Sequence, residues 1–265
     1  MRIMQRGTGT PIVLIHGFGV DHRVLLPLDP VFDNHGDWRR LYVDLPGTAG
    51  TPIGAVSSSE EMAEHARKRL RAELGDEPFA LVGNSYGGMM ARRLAHDFGD
   101  QVLGLAVLVG VFVAEHDNRT VPEPTVLRVD PGLEADASVL DDYRQEAVVQ
   151  SPTNLEAFRR HLKPGIDAVD EAALERVSQA YALDADPEDT ASGPFDRPTL
   201  ILCGRQDHVV GYVDAWRRLE HYPRATFAVV DAAGHMAHLE QPSVTATLFT
   251  DWLDRMVQHH GRSTR

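Results

Sequence analysis

The sequence predicts an α/β protein in which a doubly wound, mostly parallel sheet carries a helical cap. Short apolar runs alternate with helical patterns through most of the 265 residues, an order typical of parallel sheets with helices on both faces. A single polar, acidic and proline-punctuated stretch interrupts the alternation. We therefore predict a sheet core formed by residues 1–110 and 196–258, a cap at 111–195, and a flexible tail at 259–265.

Before the interruption, the pattern predicts four strands and two helices. The strands are apolar runs, as expected where both faces of a sheet are covered, at residues 12–15, 41–43, 79–84 and 102–109. A helix over 59–74 places Met62 and Leu70 on one face. A second helix, over 86–98, is followed by Gly99, a residue typical of C-caps. Few residues precede the first clear strand, so they leave little room for further strands, and we expect the N-terminal strand region to be short.

The cap and the second part of the core complete the pattern. In the cap, helical patterns recur without a long strand, at 138–149, 154–162 and 170–182. The alternation then resumes with two strands and two helices, at 199–203, 212–221, 227–230 and 243–257. The strands on either side of the cap belong to one sheet in this interpretation, and the cap is an insertion into it.

The composition excludes several classes of function. Acidic residues outnumber basic ones by 39 to 26, and the net charge of −13 opposes binding to nucleic acids or anionic membranes. Cys203 is the single cysteine, so an internal disulfide and the cysteine pairs of a zinc site are excluded. No signal-peptide pattern and no run of about 18 apolar residues occurs. We expect a cytoplasmic monomer or homodimer that acts on a small molecule.

The most specific motif is Gly-Asn-Ser-Tyr-Gly-Gly at residues 83–88, between a predicted strand and a predicted helix. A Gly-x-Ser-x-Gly at such a junction forms a nucleophile elbow, a sharp turn that exposes the serine hydroxyl. The turn leaves no room for a Cβ at Gly83 or Gly87 and strains the serine backbone. The N-terminus of the following helix favours negative charge nearby. Ser85 is therefore the candidate nucleophile, with Asn84 in a supporting position.

A glycine-containing loop, His16-Gly17-Phe18-Gly19, follows the first clear strand. Parallel strands end at one edge of the sheet, where active sites form. The backbone N–H groups of Phe18 and Tyr86 are candidates for an oxyanion hole, which stabilises negative charge on a substrate oxygen. Gly17 and Gly19 support the turn of this loop. We expect His16 to hold the loop by a buried hydrogen bond rather than to act as a base.

Two polar residues follow the last two predicted strands. Asp207 comes after 199–203 and can fix the tautomer of a histidine. His235 comes after 227–230 and can accept the proton of a serine. Each signal is weak alone, but the chain order of serine, aspartate and histidine is that of one group of serine hydrolases. Asp117 is an alternative position for the acid.

Together these motifs resemble those of the α/β-hydrolase superfamily, over nearly the whole chain outside the cap. The resemblance implies an α/β-hydrolase fold with Ser85 as nucleophile, His235 as general acid/base and Asp207 as the acid that orients it. It also implies a cap that sets substrate preference. It implies neither a cofactor nor a metal ion. Further positions similar to the family, to which we assign structural roles, are Asp44-Leu45-Pro46-Gly47, Glu240 and Pro242.

Departures from the family pattern reduce the number of reactions that the resemblance allows. A serine nucleophile excludes the aspartate-based haloalkane dehalogenases and epoxide hydrolases that share the cap. The family's Gly-x-Gly-x-Ser reads Gly-Thr-Ala-Gly-Thr at 47–51, so this loop is expected to differ in path. The short N-terminus implies that the family's first one or two antiparallel strands are reduced or missing. The asparagine before the nucleophile, Asn84, is similar to the residue at that position in hydrolases of meta-cleavage products. Those hydrolases typically carry tryptophan directly after the catalytic histidine, whereas this chain has Met236 there.

We therefore expect a serine hydrolase that cleaves a small ester. The alternatives left open are C–C bond hydrolysis of meta-cleavage products, amide or iminopeptide cleavage, a ligand receptor, and a cofactor-free lyase or perhydrolase. We interpret the aromatic residues of the cap as cap core, and its basic residues as helix-surface charges balanced by the acids Asp141, Asp142, Glu146 and Glu156. The candidates for substrate contact among them are Arg144, Arg159, Arg160, Lys163, Phe112, Tyr143, Phe158 and Tyr181.

Overall fold

A mixed β-sheet forms the centre of the computed structural model, which describes residues 1–263. The strands of these residues are β1 (Arg2–Arg6), β2 (Thr10–Ile15), β3 (Trp38–Asp44), β4 (Phe79–Asn84), β5 (Val102–Leu108), β6 (Arg128–Val129), β7 (Val149–Gln150), β8 (Thr199–Gly204) and β9 (Ala225–Val230). Seven of them form one sheet in the order β1-β3-β2-β4-β5-β8-β9. β1 is antiparallel to β3, whereas the other neighbouring strands are parallel. The short strands β6 and β7 pair separately.

Helices connect the strands. They are α1 (Asp29–Asp33), α2 (Ser59–Leu74), α3 (Tyr86–Phe98), α4 (Ala137–Glu146), α5 (Pro152–His161), α6 (Lys163–Ile166), α7 (Glu171–Ser178), α8 (Pro187–Thr190), α9 (Val213–Arg217), α10 (Ala237–Glu240) and α11 (Pro242–Ser263). A 3₁₀ turn at His22–Leu28 precedes α1. The right-handed crossovers expected for parallel strands place such helices against the sheet.

Helices α3 and α11 cover opposite faces of the sheet at β5. Gly88 of α3 lies against Val107, and Met256 of α11 lies against Gly104. Residues 104 and 107 point to opposite faces because side chains alternate along a strand. Burial on both faces explains why β2, β4 and β5 are apolar along almost their whole length.

The strands expected from the apolar patterns are present, and so are the helices, although three of them are shorter than predicted. The helices predicted at 138–149 and 170–182 end at Glu146 and Ser178, and the one predicted at 212–221 is divided into α9 and a 3₁₀ turn at Leu219–His221. The bounds of α2, β4 and α3 agree with the predicted ranges residue for residue. Ser58 accepts a hydrogen bond from the Glu61 N–H at 3.1 Å and so caps α2. The predicted fold class, a mostly parallel sheet with helices on both faces and a shortened N-terminal strand region, is confirmed.

The two ends of the chain differ from the predicted pattern. One antiparallel strand, β1, remains at the N-terminus. Only two of its five side chains, Ile3 and Met4, are apolar, which is too short a run to give a strand signal, and pairing with β3 orders the strand. At the other end α11 continues through Ser263. Residues 259–263 therefore belong to the last helix rather than to a tail, and residues 264 and 265 lie outside the described part of the chain.

The segment 111–195, here called the cap segment, contains helices α4–α8 and the paired strands β6 and β7. Helix α5 packs against the 22–28 turn and α10, and α8 packs against α3. The cap segment therefore lies beside the loops that follow β2 and β9. Within residues 1–263, no helix has the combination of length and apolar character that crossing a membrane requires.

Candidate active site

Ser85 forms the turn between β4 and α3 in a strained backbone conformation, with φ of +53°. A Cβ at Gly83 would lie 2.2 Å from the carbonyl oxygen of Gly87. A Cβ at Gly87 would lie 2.1 Å from the carbonyl oxygen of Ile15, on β2. Both distances are shorter than real Cβ contacts allow, so the turn requires the two glycines, as the motif predicts.

The structure brings Ser85 together with His235 and Asp207, which follow β9 and β8. The Ser85 hydroxyl lies 2.9 Å from Nε2 of His235, and Nδ1 of His235 lies 3.0 Å from Oδ2 of Asp207. The other carboxylate oxygen of Asp207 accepts hydrogen bonds from the N–H groups of Val209 and Val210 at 2.9 and 3.0 Å. Asp207 is fully buried, so its carboxylate is held in one orientation.

The surroundings of His235 favour its protonated form. Burial alone lowers the pKa of the imidazole, but the charge and hydrogen bond of Asp207 raise it, and the pKa ends above its ordinary value. The carboxylate of Glu146 raises it further, and the guanidinium of Arg119 opposes this effect. His235 is therefore a stronger base than a free histidine, which suits proton transfer from a serine.

The loop after β2 lies against the elbow. A Cβ at Gly17 would lie 3.2 Å from both the Ser85 Cβ and the Asn84 Oδ1, and Gly19 has a positive φ of +72°. Phe18 lies between these glycines and lines the same cavity as Ser85. Tyr86 is the first residue of α3, where a backbone N–H has no partner in a preceding turn.

His16 holds this loop in place. Its Nδ1 lies 2.7 Å from the carbonyl oxygen of Gly17, and its Nε2 accepts the N–H of Leu45 at 3.1 Å. The Thr48 hydroxyl also lies 3.1 Å from Nε2. Burial lowers the pKa of the fully buried ring. Both ring nitrogens are thus engaged in a neutral imidazole, and the ring connects the loop after β2 to the residues that follow β3.

A cluster of three aromatic rings joins the elbow to the cap segment. The rings of Phe18, Tyr86 and Tyr181 lie 5.2 to 5.3 Å apart, centre to centre. The Tyr86 hydroxyl donates to Ser59 Oγ at 2.9 Å. Phe18 and Tyr181 also line a second cavity, of about 720 Å³, which contains Arg119. Tyr181 is therefore an aromatic cap residue in ring contact with Tyr86, the residue that follows Ser85.

The other aromatic candidates belong to packed parts of the structure. Phe112 lies under the guanidinium of Arg92, at 4.1 Å from its ring centre. Tyr143 and Phe158 are fully buried and pack on each other at 5.6 Å. These three residues belong to the core, as expected from the interpretation of the aromatic residues as cap core.

A cavity of about 220 Å³ opens at Ser85 and His235. Its lining is mainly apolar and contains two ionisable residues that the sequence did not single out for this site, Glu146 and His238. The remaining lining residues are Gly17, Phe18, Gly19, Val20, Val24, Asn84, Leu162, Ile166 and Met236. His238 donates from Nε2 to the Val24 carbonyl oxygen at 2.8 Å, and burial lowers its pKa to about 4. His238 is therefore a neutral wall of the cavity.

The charged candidates of the cap segment lie elsewhere. Arg159 pairs with Glu156 at 3.4 Å, and Lys163 pairs with Asp142 at 3.4 Å. Among the described residues, no arginine or lysine, Arg144 and Arg160 included, lines the cavity at Ser85. Asp117, the alternative acid, lies in a 3₁₀ turn with its carboxylate fully exposed. The hydrogen bond of His235 goes to Asp207.

Glu240 joins the histidine loop to the cap segment. Its carboxylate accepts hydrogen bonds from the N–H of Gly234 at 2.7 Å and from those of Val148 and Val149 at 2.8 and 3.0 Å. Burial raises the pKa of this carboxyl, and the hydrogen bonds oppose that shift. Glu240 thus fixes the residue before His235 against the chain that follows α4.

One cluster within residues 1–263 has the composition of a metal site. Asp21, His22 and Asp44 bring ligand atoms within 4.8 Å of one another. Arg23 donates to both carboxylate oxygens of Asp21, from Nε at 2.9 and 3.0 Å, and His22 Nδ1 lies 2.7 Å from Asp44 Oδ1. A cation would compete with these partners and be repelled by the guanidinium. The cluster is better explained as a network that attaches the 22–28 turn to β3.

Comparisons with known proteins show similarity along most of the chain. The model of a family described as alpha/beta hydrolase fold matches residues 10–242. A 2-succinyl-6-hydroxy-2,4-cyclohexadiene-1-carboxylate synthase of Salmonella arizonae is 28% identical over 250 residues, which cover 91% of this chain and 92% of the relative.

Solved structures give the same architecture. An alpha/beta superfamily hydrolase from Oenococcus oeni superposes with a TM-score of 0.88 at 22% identity, covering 96% of this chain and 95% of the other. A thermophilic esterase from Thermogutta terrifontis superposes with a TM-score of 0.70 at 24% identity, covering 96% and 93%. At such identities the two structures bear on the fold alone.

Proposed function

Since the chain belongs to the alpha/beta hydrolase fold family, we propose that it is a serine hydrolase that cleaves a small carboxylic ester. The proposed roles are nucleophile for Ser85, general acid/base for His235 and orienting acid for Asp207. The observation that carries the proposal is the unbroken hydrogen-bonded line through these residues, with distances of 2.9 and 3.0 Å. A nucleophile within reach of a base that a third group orients is the arrangement that covalent catalysis requires.

The reaction proceeds through an acyl-enzyme. The Ser85 oxygen attacks the ester carbonyl carbon while His235 Nε2 accepts the hydroxyl proton. The tetrahedral intermediate then expels the alcohol oxygen, which takes this proton from His235. A water molecule attacks the acyl carbon, gives a proton to His235 and releases the acid as Ser85 recovers its proton. One ester and one water thus yield one carboxylic acid and one alcohol.

Two backbone N–H groups, those of Phe18 and Tyr86, are proposed to hold the oxyanion. Their loops meet at Ser85, since Gly17 lies against the serine and Tyr86 follows it. The N-terminus of α3 adds a favourable dipole at the same place. One such donor typically stabilises the transition state by about 2.7–4 kcal/mol.

The size of the cavity favours a small substrate. Its volume of about 220 Å³ falls below the roughly 300–1,000 Å³ of pockets that bind drug-sized ligands. Its walls at Val20, Leu162 and Ile166 are apolar, which suits a short acyl chain.

A test of the proposal labels the protein with a fluorophosphonate and measures the hydrolysis of short p-nitrophenyl esters. Labelling and hydrolysis are expected for the wild type and for Ser192→Ala, which removes an exposed serine of the cap segment. Both are expected to vanish in Ser85→Ala. Folded wild-type protein that takes no label, or Ser85→Ala that is still labelled, would contradict the proposal.

A cofactor-free lyase is the second candidate, because the relative named as a synthase matches the chain along nearly its full length. The product in that name is a carboxylate, and a carboxylate is normally recognised by arginine or lysine. Among the residues described, the cavity lining contains neither and includes Glu146. Ester hydrolysis is therefore the better fit, and a panel of ester, amide and C–C substrates separates the two reactions.

A further inference from the structure

The carboxylate of Glu146 has no partner in the cavity that contains Ser85. Glu146 is half-buried and lines this cavity. Among the described residues, none forms a hydrogen bond or ion pair with its side chain. It is nevertheless close enough to His235 to raise the pKa of that imidazole. Glu146 is therefore an unpaired charge inside the site and not, as the sequence indicated, a balanced charge on the surface of a helix.

The position of Glu146 in its helix is also unfavourable. Glu146 is the last residue of α4, where unpaired carbonyl groups form the negative end of the helix dipole. A negative side chain is destabilised there. The nearby carboxylates of Asp207 and Glu240 are compensated, the first by His235 and the second by three backbone N–H groups. A residue that breaks a local rule without compensation is often functional.

Among the described residues, the cavity around Glu146 supplies no permanent cation, since His235 is charged only when it is protonated. Within the described chain, arginine and lysine are absent from the cavity lining, and His238 is neutral because burial lowers its pKa to about 4. The guanidinium of Arg119, which opposes the increase in the pKa of His235, donates to the carbonyl oxygens of Val113, Ala114 and Val209 at 2.9 to 3.0 Å. Arg119 also donates a hydrogen bond to the Tyr181 side chain, so its guanidinium is engaged by groups other than Glu146.

We propose that Glu146 binds a protonated amine of the substrate, so that the preferred substrates are amino esters. The inference rests on the proposed ester hydrolysis at Ser85 and names its substrate class. An ammonium group would donate a charge-assisted hydrogen bond to the carboxylate, whereas an anionic group would be repelled. The net charge of −13 acts in the same direction, since it concentrates cations near the protein.

The test compares methyl esters that differ in charge but not in chain length, at pH 7 in a pH-stat. The methyl esters of β-alanine and 4-aminobutyrate are matched with methyl butyrate and methyl pentanoate. We expect kcat/KM to favour at least one cationic ester by about tenfold or more, the range of hydrogen bonds to charged groups. In Glu146→Gln this ratio should fall to near one, and in Glu156→Gln, an exposed acid of the same segment, it should persist.

The ratio of kcat/KM for a cationic ester to kcat/KM for its neutral counterpart reports on substrate recognition separately from catalysis. Any effect of Glu146 on His235 changes both esters of a pair alike and cancels. A wild-type ratio near one, or a ratio that Glu146→Gln leaves unchanged, would overturn the inference while ester hydrolysis stands.

Binding to Ser85→Ala provides a readout that needs no turnover. Calorimetry should detect n-butylammonium binding to Ser85→Ala, weakened about tenfold or more in Ser85→Ala/Glu146→Gln. If no ester is cleaved but this difference is found, the proposed hydrolysis fails and amine recognition by Glu146 stands. Equal binding of n-butylammonium to the two proteins would refute that recognition.

Discussion

The side chains of Ser85, His235 and Asp207 differ in how much freedom their surroundings leave them. Asp207 is fully buried and held by two backbone N–H groups, so it cannot turn away from the imidazole. His235 is held at Nδ1 and offers Nε2 to the serine. Ser85 is fixed by the strained turn rather than by its hydroxyl. The reacting geometry is therefore established before a substrate binds, which lowers the entropic part of the barrier.

Replacing Asp207 by asparagine should impair catalysis far more than stability. The amide would favour the wrong tautomer of His235, and the equivalent change in a serine protease lowers kcat about 10⁴-fold. We expect a loss of this order for Asp207→Asn in ester hydrolysis. Asp117→Asn, at the fully exposed alternative position, should keep wild-type activity. A comparable loss in Asp117→Asn would move the triad acid to that residue.

The pH dependence of kcat/KM should report the charge around His235. The imidazole must be neutral to accept the serine proton, so activity falls as the pH drops through its pKa. Asp207 and Glu146 raise this pKa against burial and Arg119, so the acid limb should lie above the ordinary histidine value of 6.5. Glu146→Gln removes one of the raising charges and should move the limb to lower pH.

Glu156→Gln is the control for this profile, because its carboxylate is exposed and pairs with Arg159. Its acid limb should coincide with that of the wild type. A limb that stays in place or moves to higher pH in Glu146→Gln would show that the carboxylate of Glu146 does not act on His235.

At the scale of elements, helix α3 packs closely on strand β2 because the contacting residue of the helix is a glycine. Gly87 has no side chain at the point where the Ile15 carbonyl oxygen lies 2.1 Å from an ideal Cβ position. This approach places the helix N-terminus beside Ser85, so the packing of α3 on the sheet and the position of the nucleophile are one structural feature. The same contact explains why a Gly-x-Ser-x-Gly pattern predicts both.

Gly87→Ala should therefore destabilise the protein by about 3 kcal/mol or more, in the range of severe overpacking. Backbone atoms, which cannot rotate away, surround the new methyl group. Gly193→Ala is the matched control, since an added Cβ meets no atom within 4 Å there, and it should be neutral or stabilise by about 0.4–1 kcal/mol. Urea unfolding followed by circular dichroism measures both. Equal midpoints for Gly87→Ala and the wild type would contradict the close approach.

At the scale of the whole molecule, the cap segment is attached to the core by buried charged groups. Glu240 binds backbone N–H groups on both sides of the junction, at Gly234 and at Val148–Val149. Glu188 of α8 binds Arg92 of α3 at 2.6 and 2.5 Å. One attachment includes the residue before His235, so Glu240 connects the cap segment directly to the loop that carries this histidine.

The sequence predicted those features that local patterns determine. Strand β4 and helix α3 were predictable to the residue, because an apolar run and a glycine-bounded helix mark their ends. Strand β1 was not, because its order comes from pairing with β3 and not from its own side chains. The chain order of Ser85, Asp207 and His235 indicated the triad, whereas the cavity position of Glu146 depends on how the cap segment folds over the core.

The ion pair of Arg92 and Glu188 makes the strongest prediction at this scale. Both side chains are buried, and Tyr222 also donates to the carboxylate. Glu188→Gln leaves the Arg92 charge uncompensated, so the free energy of unfolding should fall by about 3–5 kcal/mol.

Burial raises the pKa of Glu188, but Arg92 outweighs this and lowers it to about 2. A lowered pKa means that this stabilisation is complete above the ordinary value of 4.5 and is lost as the pH falls toward 2. The wild type should therefore lose stability between these pH values more steeply than Glu188→Gln, as measured by urea unfolding at each pH. Glu156→Gln, an exposed change, should retain the wild-type slope, and a Glu188→Gln protein as stable as the wild type would show that the pair does not hold the cap segment to α3.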